Sequence, residues 1–300
     1  MFPPLPEGRG FHKTYYMNNN KDNNKIVVKG EPQEVTEIRE KILNSFNELI
    51  FVEEGHKYFL RGKELQSVSH VTHQFEPQSD WDLIAENYAK KNGETKEYWR
   101  KQWDYNSLKA TIRGTLTHEY GESMAWLRSG FPEKICESCK CKYQKEWLVP
   151  THPKEEAILK FWDELPPNLY FVLAETKVYS GVNPTLPQLN QDYAGTFDLL
   201  FYYKDPKDDS KSGLVIADYK TNASLTKEFS RTNNKMMLHP FENLYLESLS
   251  NYTLQLSCYQ IPLEDIGLKV IGRRLIHLKE DGTYEKISLP NVTKELRNVL

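Results

Sequence analysis

Apolar and polar positions alternate along the chain with two different periods, and the changes between them mark out the elements. A helix is predicted around Glu34 to Leu49. Two short strands follow, near Ile50-Phe51-Val52 and His56 to Leu60, joined through Glu54-Gly55. Asp80 to Lys91 reads as a helix with Trp81, Ile84, Ala85 and Tyr88 on one face. A longer helix is predicted from about Asn106 to Arg128. In it Leu108, Ile112 and Leu116 recur every fourth residue as the expected buried stripe. A helix over Pro153 to Glu164 stops at Pro166-Pro167. Three strand candidates come next: Tyr170 to Tyr179, Tyr193 to Tyr203 and Gly213 to Thr221. The last two are separated by the turn-rich Asp205 to Ser210. A helix near Tyr252 to Ile261 and a strand pair near Arg274 to Ile287 close the chain. This order predicts one α/β domain, a central mixed β-sheet flanked by helices, with an added N-terminal helical region. Residues 1–24, with the run Asn18 to Asn24, lack periodic apolar positions and read as a flexible arm before a domain over 25–300.

The strand pattern also locates the candidate chemistry. In Gly213-Leu-Val-Ile-Ala-Asp218-Tyr-Lys220-Thr221 the two charged residues are two apart, so they emerge on the same face. An exposed strand end with a weak ion pair would satisfy that pattern as well. The preceding strand, Ala194-Gly195-Thr196-Phe197-Asp198-Leu199-Leu200, places a second aspartate among apolar neighbours. If the two strands pair, Asp198 and Asp218 converge, and two carboxylates in one place call for a cation. Oxygen ligands with open water positions suit Mg2+ or Mn2+. Lys220 would then stand beside the metal, where it could orient a water or stabilise charge developing on phosphate.

Asp198 followed by Asp218-Tyr219-Lys220 resembles the signature of the PD-(D/E)XK nuclease superfamily. Within it, the chain is most similar to the RecB-like and phage-exonuclease branch. That branch carries a helix with Arg-Gly-Thr-x-x-His before the core, matched by Arg113-Gly114-Thr115-Leu116-Thr117-His118. It carries a helix with Gln-x-x-x-Tyr after the core, matched by Gln255-Leu256-Ser257-Cys258-Tyr259. A glutamate strand commonly lies between, and Glu175 in Ala174-Glu175-Thr176-Lys177-Val178 fits it. All five elements agree in order over roughly residues 110–262, within a core over about 106–290.

The resemblance implies a restriction-endonuclease-like core and a Mg2+- or Mn2+-dependent deoxyribonuclease. Its catalytic set would be Glu175, Asp198, Asp218 and Lys220. Its metal ligands would be His118, Asp198, Asp218 and the backbone carbonyl of Tyr219. Glu175 could be a ligand, a base acting through water, or a charge at a strand edge. Gly114, four residues before His118, is expected to let the helix approach the sheet. Gln255, Tyr259 and Arg113 would line a DNA groove. Lys227 and Arg231, in a polar segment after the catalytic strand, are candidate phosphate contacts, though a solvated charged loop explains them almost equally well. Lysines and arginines between residues 90 and 101 intermingle with Trp99, Trp103 and Tyr105, a mixture that could stack single-stranded bases. Trp99 and Trp103, at helical spacing, fit a core better than a stacking surface. The implied setting is DNA end processing in phage replication or recombination, by an exonuclease that could have a replication or recombination partner. The competing expectation is a DNA-binding module of the same fold without activity.

Net charge is −3, which argues against a protein that coats DNA by bulk charge but not against one with an acidic metal site. The longest apolar runs are too short to span a bilayer, and the N-terminus lacks signal-peptide character, so a cytoplasm is expected, the host's if the chain is phage-encoded. Of four cysteines, Cys136, Cys139 and Cys141 crowd into an insertion over about 129–152. With His152 they could complete a structural Zn2+ site. Inert thiols are an alternative, and an iron–sulfur cluster a further one, although cluster-bearing relatives place their cysteines differently.

Overall fold

In the computed structural model, which describes residues 30–131, 134, 148–181 and 191–300, the strands join in one mixed eight-stranded sheet flanked by helices. The arm read over residues 1–24 and the candidate zinc ligands Cys136, Cys139 and Cys141 lie outside the described residues.

The chain begins with α1 (Gln33–Ser45), which buries Val35 and Ile42. It also buries Arg39, whose guanidinium pairs with Glu31 at 2.7 Å and donates to the Val172 carbonyl at 2.8 Å, so the charge is matched where water is excluded. Strands β1 (Leu49–Val52), β2 (Lys57–Leu60) and β3 (Lys63–Ser67) form an antiparallel meander. The third strand and the short helix α2 (Val68–His73), capped by Ser67, were not predicted. A two-helix hairpin follows, α3 (Trp81–Asn92) and α4 (Lys96–Arg128). Asp80 caps the first helix, and Gly93 ends it at φ 81°, a left-handed value that glycine adopts without strain.

Helix α4 begins ten residues before the predicted start, because the Thr95 hydroxyl accepts the Tyr98 N–H at 3.1 Å and caps it there. The expected buried stripe is not buried: Leu108 is 48% exposed and Ile112 53%. Helix α4 packs against α3 as well as against the sheet. Trp99 and Trp103 instead make edge contacts with Tyr88, and Trp103 also with Trp81, a small aromatic cluster within the hairpin.

The sheet core comes from β4 (Leu169–Ser180), β5 (Tyr193–Tyr203) and β6 (Gly213–Lys220), with α5 (Pro153–Asp163) before them. After β6 come α6 (Glu228–Thr232), α7 (Ser248–Asp265), β7 (Val270–Leu278), β8 (Tyr284–Ser288) and α8 (Thr293–Val299). Strand β4 runs antiparallel along one edge of β5. The other edge is divided. Tyr193 and Ala194 pair with β3, while 199–203 pair with β6. Gly195 to Asp198 pair with neither, so two strands diverge from β5 and leave a fork. Strand β6 then runs parallel to β7 over 214–220. An aromatic group of Phe161, Trp162, Phe171 and Phe201 fills the space between α5 and this sheet.

Candidate functional site

The fork in the sheet gathers the predicted residues. At its base the ladder between β5 and β6 ends at Leu199–Ala217. The next backbone donor on β6, the N–H of Tyr219, is taken by the Asp198 carboxylate at 2.8 Å. A side chain thus replaces a ladder bond, and the strands part without leaving that donor unpaired. Glu175 lies opposite Asp198 in register, between the pairs Ala174–Leu199 and Thr176–Phe197. Its backbone has φ 44°, a left-handed value uncommon for a residue with a side chain.

His118 arrives from α4, and its Nδ1 lies 3.0 Å from Asp198 Oδ2. One ligand atom each from His118, Glu175 and Asp198 fall within 4.8 Å of one another. Burial alone would lower the His118 pKa, but the Asp198 carboxylate outweighs it and the net shift is upward. Burial likewise opposes ionisation of Asp198. Its contact with His118, aided by Lys220 and the Tyr219 N–H, leaves its pKa below the usual carboxylate range. Glu175 goes the other way. Burial, then the charges of Asp198, Glu122 and Asp218, push it well above that range.

Glu122 was not anticipated. It sits one turn after His118 on α4, at the i+4 spacing that shares a helix face, and that spacing was the available signal.

The glycine that permits close approach is Gly121, not Gly114. A Cβ at 121 would lie 2.6 Å from Cε2 of Tyr219, whereas one at 114 would meet only Thr221 Oγ1, at 3.7 Å. The Tyr219 ring fills the space Gly121 leaves, and its hydroxyl accepts from Trp162 Nε1 at 2.9 Å. Helix α4, β6 and α5 are fixed to one another by that ring.

Asp218 is buried, and Lys220 Nζ lies 2.5 Å from its Oδ2. That oxygen has the ammonium beside it but no hydrogen bond of good geometry. Burial, then the charge of Asp198, raise the Asp218 pKa to about 6 despite Lys220. On Lys220 burial opposes the charge, but Asp218 and Asp198 prevail and its pKa rises. The ammonium also donates to Gln255 Oε1 at 3.4 Å, and Gln255 Nε2 donates to the Tyr259 hydroxyl at 3.0 Å.

Tyr259 is itself buried against Gly195, where a Cβ would come within 2.6 Å of the ring. It is therefore a support for Gln255 rather than part of an open groove.

Most of the remaining candidates have structural partners. Arg113 pairs with buried Glu155 at 2.6 Å and bonds Thr117, which ties α4 to the start of α5. Arg231 holds Glu247 through two bonds, at 2.7 and 3.0 Å, and Lys227 is exposed. His152 is the N-cap of α5, its Nδ1 accepting the Lys154 N–H at 3.2 Å, so that lone pair is engaged. His152 is not among the grouped ligand atoms found in the described residues.

An imidazole, two converging carboxylates and an under-partnered third one nearby form a donor set that fits a hard divalent cation. The upward shifts of Glu175 and Asp218 come first from burial and then from neighbouring carboxylates, and a bound cation would offset the second cause. Among the described residues no helix is long and apolar enough to cross a membrane. Comparison with protein-family models and with curated proteins finds no match for the chain.

Proposed function

We propose that this chain is a metal-dependent nuclease that hydrolyses DNA phosphodiester bonds. One observation carries the reading: His118, Glu175 and Asp198 converge at the fork while Asp218 and Lys220 approach from the next strand. His118, Glu175, Asp198 and the Asp218–Lys220 pair came from four separate motifs of the PD-(D/E)XK resemblance, and an accidental match gives no reason for the four to meet.

In this reading His118, Glu175, Asp198 and Asp218, with the Tyr219 carbonyl that the resemblance implies, would hold Mg2+ or Mn2+. When bound, the ion supplies Lewis acidity toward a phosphate oxygen and makes a water more acidic. Lys220 is an ammonium without a lone pair, so it stands beside the ligands and donates. Its N–H groups would stabilise charge growing on the phosphate as the P–O bond breaks. Gln255 and Tyr259 would hold Lys220 in line. The resemblance favours an exonuclease in phage replication or recombination, acting on DNA ends in a host cytoplasm, with a replication or recombination protein as a candidate partner. A Zn2+ site at Cys136, Cys139 and Cys141 remains a proposal for elemental analysis, with engagement of His152 as the N-cap weakening its fourth ligand.

The test is incubation with Mn2+ and end-labelled linear or closed circular DNA, with Asp218→Ala as control. Wild type should shorten the linear DNA and leave the circle intact, and the variant should leave both intact. Cleavage of both substrates makes it an endonuclease. DNA binding without cleavage under any divalent metal makes it an inactive binding module, and neither binding nor cleavage removes the reading.

A further inference from the structure

The chain leaving Lys220 is gripped from three elements that the motif does not contain. Lys154 Nζ, on α5, donates to the Thr221 carbonyl at 2.7 Å. His277 Nε2, on β7, donates to the Asn222 carbonyl at 2.7 Å. The Tyr252 hydroxyl, on α7, donates to Asn222 Oδ1, also at 2.7 Å.

Tyr252 has a second contact. Lys220 Nζ lies 4.1 Å from the centroid of its ring. The ammonium is thus surrounded by the Asp218 carboxylate, the Gln255 amide oxygen and an aromatic face. Tyr252 and Gln255 are three apart on α7, so one helix face supplies two of the three.

We propose that Tyr252 is a positioning residue for Lys220, with its ring face as the surface that keeps the ammonium in place. The inference rests on the nuclease reading for its rate consequence but not for the contact itself. An aromatic face attracts a cation through its quadrupole and carries no net charge. It can hold Lys220 without competing for a divalent ion, as another carboxylate would. It would also stay in position with Asp218 holding an ion, because the hydroxyl is anchored to Asn222 and Asn222 to His277. The ring fixes the ammonium and the hydroxyl fixes the ring.

Two variants separate these contacts. Tyr252→Phe keeps the ring and loses the Asn222 bond, while Tyr252→Leu loses both. In protein with isotope-labelled lysine, the ε-methylene resonance of Lys220 should be shifted upfield by the ring, assigned by its absence in Lys220→Met. It should stay shifted in Tyr252→Phe and move to the ordinary lysine position in Tyr252→Leu. In single-turnover cleavage with Mn2+, Tyr252→Leu should lower the rate at saturation by about tenfold, the effect of losing one cation–aromatic contact. Half-saturation should change little, and Tyr252→Phe should recover most of the rate.

Equal losses in the two variants would overturn the ring as the positioning element and assign the role to the hydroxyl. A wild-type Lys220 resonance at the ordinary position would overturn the proposal and leave the nuclease reading untouched. A silent wild type with an intact, ring-dependent shift would overturn the nuclease reading while the contact stands.

Discussion

From Lys96 to Leu116, α4 carries Tyr98, Tyr105, Leu108 and Ile112, each 41–53% exposed. From Thr117 to Arg128 the same helix buries Thr117, Tyr120, Gly121, Ser123, Met124, Ala125 and Trp126. The half richer in regularly spaced large apolar residues is the open one. The buried half includes small and hydroxyl residues because it lies against the Tyr219 ring and the sheet at short range. Apolar periodicity reports a stripe, but it does not report whether another element is there to cover it. His118 sits where the two halves meet, with its side chain 29% exposed. It is held by the buried half and reached from the open one.

The largest test of this contrast is at the boundary itself. His118→Ala should weaken Mn2+ binding and slow cleavage by about a hundredfold, the upper end of what losing even an outer partner of a metal ligand costs. Lys220→Ala should slow cleavage comparably, by analogy with one lost transition-state donor. DNA affinity in Ca2+ should then change less than roughly tenfold, since one phosphate contact among many is removed. Calorimetric Mn2+ titration and single-turnover kinetics measure both, and unchanged values for His118→Ala would detach the buried half from function.

Next in size is the pH response. The carboxyls of Glu175 and Asp218 and the His118 imidazole all have raised pKa values, with Asp218 at about 6. Each holds its proton to higher pH than usual, and a cation must displace it. Mn2+ affinity should therefore rise as pH increases through about 6 and fall below it, by about tenfold per pH unit for each proton displaced. Titration in two buffers of different ionisation enthalpy should show more protons released at pH 6 than at pH 8. Affinity independent of pH would mean these groups do not ligate.

Two glycines then sharpen the contrast. Gly121→Ala forces a methyl group into the Tyr219 ring and should cost about 1–3 kcal/mol, the range for overpacking. Gly114→Ala meets only ordinary contact and should stabilise the helix by up to about 1 kcal/mol. Thermal denaturation of the pair reads opposite signs. The smallest effect is expected on the open half: Leu108→Gln with Ile112→Gln should change stability by less than about 0.5 kcal/mol. A larger loss, or a change in sedimentation, would show that the stripe is covered in solution.

Much of the site was legible because it depends on local rules. Asp218 and Lys220 share a strand face by alternation, and the Asp198 strand pairs through a turn whose composition announces it. The strands of the sheet core were found for the same reason. What the sequence left hidden depends on tertiary proximity. The fork requires β3 and β6 to share one edge of β5, and β3 was not seen. Gly121 and Tyr252 act across elements distant in the chain, so no spacing reveals them. The early start of α4 is marked in the sequence by Thr95, a capping residue, but the regular apolar stripe begins only later, at Leu108.

The backbone at Glu175 has a consequence for how this position would drift under mutation. At φ 44° a side chain crowds the main chain, and glycine or asparagine would occupy the same conformation at lower steric energy. Folding on its own would therefore favour substitution. A library selected only for thermal resistance should enrich glycine or asparagine at 175, whereas one selected for turnover should retain the acid. On the proposed nuclease reading the interests of the scaffold and of the chemistry diverge at this residue, and sequencing the two survivor pools would show whether they do.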